Sequence, residues 1–139
     1  MAEKLNETEL AVIGAGPGGY AAAFLAADLG VRVALIDPEV NPGGVCLYRG
    51  CIPSKALLHV AKVVEESQHA RAWGVELGKP KLDLAKLREF KDGVVKRLTG
   101  GTGQLVKARK IRYIRGVAEI LDPHRLRVKL VDGGEEEVT

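Results

Sequence analysis

The sequence predicts an α/β fold in which a β-α-β unit with a parallel sheet precedes a helical excursion and a small antiparallel β meander. Three observations predict it. β-branched runs flank an alanine-rich stretch near the N-terminus, apolar residues then recur every three or four positions, and in the last third they alternate with charged residues. With 139 residues, 46% of them apolar, the chain is long enough for one compact domain.

The β-α-β unit comes first. Leu10–Ile13 is a short apolar run that predicts a strand, and Tyr20–Leu29 is a stretch of good helix formers. Val31–Ile36 is a second β-branched run, and it ends at Asp37. Because a helical crossover joins the two buried strands, we expect them to be parallel.

Two helices are predicted in the excursion. From Val45 to about Glu66, apolar residues recur at spacings of three and four. A second stripe runs from Leu84 to Leu98 and fades at Gly100-Gly101. We expect the two helices to pack as a pair.

In the last third of the chain, the spacing of the apolar residues changes to two, which predicts antiparallel strands. We expect four of them, at residues 111–113, 117–121, 126–130 and at the end of the chain. Asp132-Gly133 indicates the final hairpin turn.

Composition argues against two classes of partner. The net charge of +3 comes from 21 basic and 18 acidic residues spread along the chain, so we expect neither nucleic acid nor membrane as a partner. The acidic opening, residues 1–9, lacks the order of a signal peptide, and no apolar run reaches the length of a membrane span. A cytoplasmic protein is therefore expected.

A glycine motif lies between the first predicted strand and helix. It matches G-x-G-x-x-G, and its residues are Gly14, Gly16, Pro17, Gly18 and Gly19. In this motif the glycines allow a tight turn and let backbone N–H groups approach a pyrophosphate at the helix N-terminus. Asp37 follows about twenty residues on, where a carboxylate would accept hydrogen bonds from a ribose. The motif predicts a Rossmann-like dinucleotide site, against the alternative of a glycine-rich turn without a ligand, but does not distinguish FAD from NAD.

The chain has two cysteines, Cys46 and Cys51. In a regular helix they would be about 7.5 Å and about 140° apart, so a disulfide requires a distorted turn, for which Gly50 supplies the freedom. A helix N-terminus and the neighbouring Arg49 are expected to favour a thiolate. The pair suits thiol–disulfide exchange in a cytosolic protein.

Three other interpretations of the cysteines remain open: unrelated core cysteines, a zinc site with His59 and His69, and a static disulfide. We do not expect a metal site, because the spacing of these cysteines and histidines fits no common Cys₂His₂ pattern. His59, His69 and His124 are better explained as surface or packing residues than as catalytic bases. Lys55 lies on the same predicted helical face as Cys51. Two interpretations of this lysine remain open: an ammonium near a cofactor ring, and an ordinary solvated surface lysine.

The chain resembles the N-terminal part of the pyridine nucleotide–disulfide oxidoreductases. The resemblance rests on the glycine motif, on Asp37 and on a segment that reads Gly43-Gly44-Val45-Cys46-Leu47-x-x-Gly50-Cys51-Ile52-Pro53-Ser54-Lys55. It extends to Lys96–Gly101 and to Arg115–Ala118. The wording around the cysteines is closest to the members that oxidise dihydrolipoamide.

The resemblance implies a role for each matched residue. Cys46 would be the interchange thiol that attacks the substrate disulfide, and Cys51 would contact the flavin of FAD in a charge-transfer complex. Lys55 would lie beside flavin N5. Asp37 would stand where the family usually has a ribose-binding Glu. The remaining cofactor contacts would be made by Gly43, Gly44, Val45 and, at the adenine, Gly116 and Ala118.

The resemblance also implies a wider function. Protein-bound dihydrolipoamide would be oxidised by a Cys46–Cys51 disulfide, with electrons passing through tightly bound FAD to NAD. The partners would be the lipoyl domain of a 2-oxo acid dehydrogenase or glycine cleavage complex and a second subunit of a homodimer. Residues 1–139 would be part of an FAD-binding domain, without the NAD-binding and dimer-interface domains, and inactive alone.

Two alternatives to this function remain open: a glutathione-type or mercuric reductase, and a non-catalytic nucleotide-binding fragment. Tyr48 and Arg49 depart from the Asn and Val common in the family.

Overall fold

The computed structural model describes residues 8–139, so residues 1–7 of the acidic opening segment lie outside the described residues. The strands are β1 (Leu10–Ile13), β2 (Val33–Asp37), β3 (Arg112–Asp122), β4 (Arg125–Leu130) and β5 (Glu135–Val138). The helices are α1 (Pro17–Asp28), α2 (Gly44–Arg49), α3 (Cys51–His69) and α4 (Leu84–Ala108), and a 3₁₀ turn covers Ala70–Trp73. Among the described residues, no helix is long and apolar enough to cross a membrane.

The five strands form one mixed sheet in the order β1-β2-β3-β4-β5. β1, β2 and the first half of β3 are parallel, whereas the second half of β3, β4 and β5 are antiparallel. This confirms the predicted α/β class with a parallel β-α-β unit and an antiparallel meander. Strand β2 is buried along its whole length.

Two groups of apolar side chains cover the opposite faces of β2. Val33 and Leu35 pack with residues of α1 and with Val106 of α4. Ala34 and Ile36 pack with Ile114 of β3 and with residues of the meander. Helices therefore cover one face of the parallel strands, and the curled meander covers the other.

The first predicted helix and second predicted strand are present with shifted bounds. Helix α1 begins at Pro17 instead of Tyr20, because proline suits the first helical position, where an N–H has no helical partner. Strand β2 covers Val33–Asp37, whereas Val31–Ile36 was expected. The expected pairing of the two helices of the excursion is confirmed, since α3 packs against α4.

The single helix predicted from Val45 to Glu66 is wrong. The chain forms α2 and α3 instead, separated at Gly50, whose backbone has φ −124° and ψ −106°. The predicted end of the next helix at Gly100-Gly101 is also wrong, because α4 continues to Ala108. Burial of Gly103 and Val106 in the fold stabilises this last part despite its glycines.

The prediction of separate strands at residues 111–113 and 117–121 is wrong too. Both belong to the single strand β3, which pairs in parallel with β2 up to Arg115 and then in antiparallel with β4 from Gly116. A Cβ atom on Gly116 would lie 2.5 Å from the carbonyl oxygen of Lys129, so glycine permits the close approach of β4. The meander therefore ends in its third strand, not a fourth, and the hairpin turn at Asp132-Gly133 is confirmed.

Candidate cofactor and redox site

The glycine motif forms the turn between β1 and α1. Gly14 has φ +89°, which favours glycine, and its N–H donates to the carbonyl of Ile36 at 2.8 Å. A Cβ atom on Gly19 would lie 1.8 Å from the carbonyl oxygen of Gly14. The absence of a side chain at Gly19 therefore lets α1 pack directly onto the end of β1.

Open space lies around the other glycines of the turn. Cβ atoms built on Gly16 and Gly18 would have no neighbour within 4 Å. Helix α1 has no side-chain cap at Gly16 and no acidic residue in its first turn. Its first N–H groups have no helical acceptor, and the helix dipole favours negative charge there. The turn therefore fits the pyrophosphate of a dinucleotide.

Asp37 lies at the end of β2, beside this turn. Its carboxylate accepts hydrogen bonds from the Ala15 N–H at 2.7 Å and from the Glu39 N–H at 2.9 Å, and the side chain is buried. Its expected contact with a ribose stays a prediction, and in the structure the carboxylate holds the glycine turn in place. Each carboxylate oxygen has a second lone pair, so the two tasks are compatible.

The segment before the cysteines packs on the same turn. The Gly43 N–H donates to the carbonyl of Ala15 at 2.8 Å. Gly44 has φ +57°, and a Cβ atom there would lie 2.6 Å from the Cα of Gly16. Gly43 and Gly44 thus connect the predicted phosphate site directly to α2, which carries Cys46.

Both cysteines are free thiols in this structure, Cys46 half-buried and Cys51 exposed. Cys46 lies in α2, and Cys51 is the first residue of α3 beyond the break at Gly50. The two thiols interact, because Cys51 is the largest cause of the shift in the pKa of Cys46. The helix is broken at Gly50, between the two cysteines, and a disulfide at this spacing would require such a distortion.

The expected effect of Arg49 is not seen at Cys46, where Arg49 is not among the causes that shift the pKa of the thiol. Its guanidinium is engaged elsewhere, in an ion pair with Glu39 at 2.5 Å and over the ring of Tyr48. The pKa of Cys46 is raised above its ordinary value, chiefly by the hydrogen bond with Cys51 and then by burial, while Lys55 acts in the opposite direction. Lys55, not Arg49, is therefore the cation that favours a Cys46 thiolate.

A comparison with known protein families gives a match over nearly the whole chain. The sequence profile of the pyridine nucleotide-disulphide oxidoreductase family matches residues 8–139, which include the glycine turn and both cysteines. The chain belongs to this family. It is therefore a member of a family of oxidoreductases named for pyridine nucleotides and disulfides.

The chain is also similar to several curated dihydrolipoyl dehydrogenases. It is 47% identical to that of Haemophilus influenzae over 127 residues, which cover 91% of this chain and 27% of the relative. The Vibrio cholerae protein is 45% identical over 93% of the chain and 26% of its own length, and the Staphylococcus aureus protein is 48% identical over 88% and 26%. The chain spans about a quarter of the length of these relatives.

The family resemblance also predicted cofactor contacts for Val45, Gly116 and Ala118. Val45 is exposed in α2. Gly116 follows Arg115, the β3 partner of Asp37, and so lies at the same end of the sheet as the turn. Ala118 packs against the apolar side chains between β2 and the meander. Their contacts with a cofactor stay predictions.

The three histidines lie on the surface. His59 and His124 are exposed, and Nδ1 of His69 is 3.1 Å from the carbonyl oxygen of Glu65, one turn earlier in α3. Within residues 8–139, no group of three or more His, Cys, Asp or Glu side chains is placed to hold a metal ion.

Sequence reasoning missed the loop at residues 38–42, which joins β2 to the redox segment. Tyr113 of β3 donates its hydroxyl hydrogen bond to the carbonyl of Glu39 at 3.0 Å, and Thr102 of α4 donates to the carbonyl of Pro42 at 2.5 Å. These two contacts join residues 74 and 60 positions apart, respectively, which no local pattern reveals. The turn-forming run Asn41-Pro42-Gly43 was the available signal.

Tyr113 predicts a pH dependence of stability. Burial, and then the charge of Asp37, raise the pKa of Tyr113 above its ordinary value of 10.0. The folded state thus holds this proton more tightly than the unfolded state, so the stabilisation is complete below about pH 10 and is lost as the pH rises further. We expect the free energy of unfolding in urea to fall less steeply above pH 10 in Tyr113→Phe than in the wild type. Equal slopes would contradict the burial of this phenol.

Proposed function

We propose that this chain supplies the FAD phosphate turn and the redox-active thiols of an enzyme that oxidises protein-bound dihydrolipoamide to lipoamide, with NAD as the final acceptor. One observation carries the proposal. The loop that leads into the Cys46 helix packs through Gly43 and Gly44 onto the turn of Ala15 and Gly16. A dinucleotide held at this turn and the thiol pair would therefore belong to a single site.

The family resemblance gives each thiol its part in the exchange. In the oxidised form, a substrate thiolate would attack the sulfur of Cys46, and the Cys51 sulfur would leave as a thiolate. The second substrate thiolate would then attack the mixed disulfide and release lipoamide, leaving both cysteines reduced. In total, two electrons and two protons pass from the substrate dithiol to the cysteine pair. FAD, when bound, would take up the electron pair from the thiols.

The chain's own residues would assist at defined atoms. Lys55 lowers the pKa of Cys46 by its charge, so it favours departure of the Cys46 thiolate from the mixed disulfide. The N–H groups at the start of α1 would hold the pyrophosphate, and Asp37 would accept from the ribose while it keeps its bond to Ala15. Cys51, at the N-terminal end of α3, would face the flavin.

The assembly belongs to the proposal as well. Residues 1–139 would form the N-terminal part of the FAD-binding domain of a cytoplasmic homodimer. The dithiol substrate would be presented by the lipoyl domain of a 2-oxo acid dehydrogenase or glycine cleavage complex. Several large apolar side chains are exposed, among them Leu58, Trp73 and Ile120. Exposed apolar side chains of this size are compatible with packing against further parts of an enzyme.

An activity panel tests the proposed reaction. In a chimera, residues 8–139 replace the matching segment of the Haemophilus influenzae relative, and purified protein is assayed with dihydrolipoamide and NAD, glutathione disulfide and NADPH, or mercuric ion and NADPH. We expect turnover with dihydrolipoamide and NAD at a rate within about tenfold of the unmodified relative, since the matched segments are closely similar. Preference for either NADPH reaction would contradict the substrate, and a flavin-free chimera would favour a non-catalytic module.

A further inference from the structure

Helix α2 is attached to the loop that precedes it by two side chains outside the thiol pair. The hydroxyl of Tyr48 donates to the carbonyl of Asn41 at 3.0 Å and accepts from the Asn41 N–H at 3.2 Å. Arg49 pairs with Glu39 at 2.5 Å, and its guanidinium lies 5.9 Å from the centre of the Tyr48 ring. We call these four residues, Glu39, Asn41, Tyr48 and Arg49, the α2 clamp.

The loop held by the clamp is itself fixed to the rest of the fold. Tyr113 of β3 binds the carbonyl of Glu39, and Thr102 of α4 binds the carbonyl of Pro42. Asn41 lies against Gly103 of α4, where a Cβ atom would approach its side-chain oxygen to 2.1 Å. The clamp therefore connects α2 to a rigid support and not to a free surface loop.

Helix α2 needs such a support. It has only six residues, fewer than an isolated helix requires in water, and the break at Gly50 separates it from α3. Within α2, Leu47 alone has a buried side chain. Without the clamp, α2 would be held only by Gly43 and Gly44 at its start and by Leu47, so Cys46 would move more freely relative to Cys51, the first residue of the 19-residue helix α3.

We propose that Tyr48 and Arg49 are positioning residues that hold α2 in the orientation needed for the Cys46–Cys51 disulfide, and so set its reduction potential. This inference rests on the proposed redox role of the pair. Disulfide closure requires Cα atoms about 4.4–6.8 Å apart, and holding α2 in place removes conformations of the dithiol that cannot close. Loosening the clamp leaves the disulfide intact in structure but less favoured against the dithiol.

The test is the equilibrium of the 139-residue chain with a glutathione redox buffer. One glutathione disulfide takes two electrons from the dithiol, and the products are the Cys46–Cys51 disulfide and two molecules of glutathione. The ratio of disulfide to dithiol is measured after acid quenching by alkylation and mass spectrometry. We expect Tyr48→Phe and Arg49→Gln each to lower this ratio about 3-fold, and the double variant about 10-fold, which is a rise of about 30 mV in reduction potential.

Matched controls separate position from chemistry. Tyr20→Phe removes a tyrosyl hydroxyl in α1, and Arg71→Gln breaks an exposed ion pair with Glu76. We expect both controls to leave the ratio unchanged within about 1.5-fold, a change of about 5 mV. Glu39→Gln breaks the clamp from the loop side, so its effect should equal that of Arg49→Gln and should not add to it.

Each outcome has one meaning. Circular dichroism first establishes that every variant is folded, and Glu39→Gln replaces Arg49→Gln if the latter is not. A folded set of clamp variants with the wild-type ratio overturns the positioning role while the redox role stands. A wild-type chain that forms no Cys46–Cys51 disulfide in any glutathione buffer overturns both the positioning role and the proposed function.

Discussion

Replacing Cys46 by serine in the chimera is expected to lower the rate of dihydrolipoamide oxidation by on the order of 1,000-fold or more, because the attacked sulfur is removed. The only other cysteine of the chain is Cys51, which is needed as the disulfide partner, so no other thiol of the chain replaces Cys46. Flavin content is expected to stay at the wild-type level, since the glycine turn and Asp37 are unchanged. The measurements are steady-state turnover and flavin absorbance per mole of protein.

Lys62→Gln serves as the surface control for this variant. Lys62 lies in α3 and forms an exposed ion pair with Glu66, of the kind that contributes little to stability. Its turnover should match that of the unmodified chimera. Dihydrolipoamide turnover retained by Cys46→Ser would contradict the assignment of Cys46 as the exchange thiol.

Gly19→Ala is expected to lower the free energy of unfolding of the chain by about 3 kcal/mol, with partial loss of the fold. The new Cβ atom would lie 1.8 Å from the carbonyl oxygen of Gly14, and both are backbone-defined positions that no side-chain rotation relieves. Helix α1 would have to move away from β1. Urea unfolding followed by circular dichroism measures the effect.

Gly16→Ala is the matched comparison within the same turn. Its Cβ atom would enter open space, and its φ of −68° with extended ψ suits alanine. We expect a change in unfolding free energy below about 1 kcal/mol, but at least about tenfold weaker FAD binding in the chimera, because the methyl group occupies the pyrophosphate approach. Equal destabilisation by both substitutions would mean that Gly19 has no special packing role.

The parts of the fold that local sequence determines were predictable. The β-α-β unit and the glycine turn follow from adjacent residues, and the required distortion at Gly50 follows from the spacing of two cysteines on a helix. The place of Asp37 beside the turn also follows, because the ends of parallel strands meet at one edge of a sheet. The family resemblance added the roles of the two thiols.

The parts set by distant contacts were not predictable. Strand β3 changes partner from β2 to β4 at Gly116, and periodicity along one strand carries no information about which neighbour it pairs with. Helix α4 passes Gly100-Gly101 because later residues are buried against other elements. Arg49 was expected to act on the thiols, its neighbours in sequence, but its side chain pairs with Glu39 of the preceding loop.

The most direct test of the central claim, that the glycine turn and the thiol pair form one site, is the absorption spectrum of the FAD-loaded chimera under anaerobic conditions with added dithiothreitol. We predict a long-wavelength charge-transfer band after dithiol addition, which Cys51→Ser abolishes and Lys62→Gln preserves. A chimera that binds FAD and has both thiols reduced, yet develops no such band, would contradict the claim that Cys51 lies against the flavin.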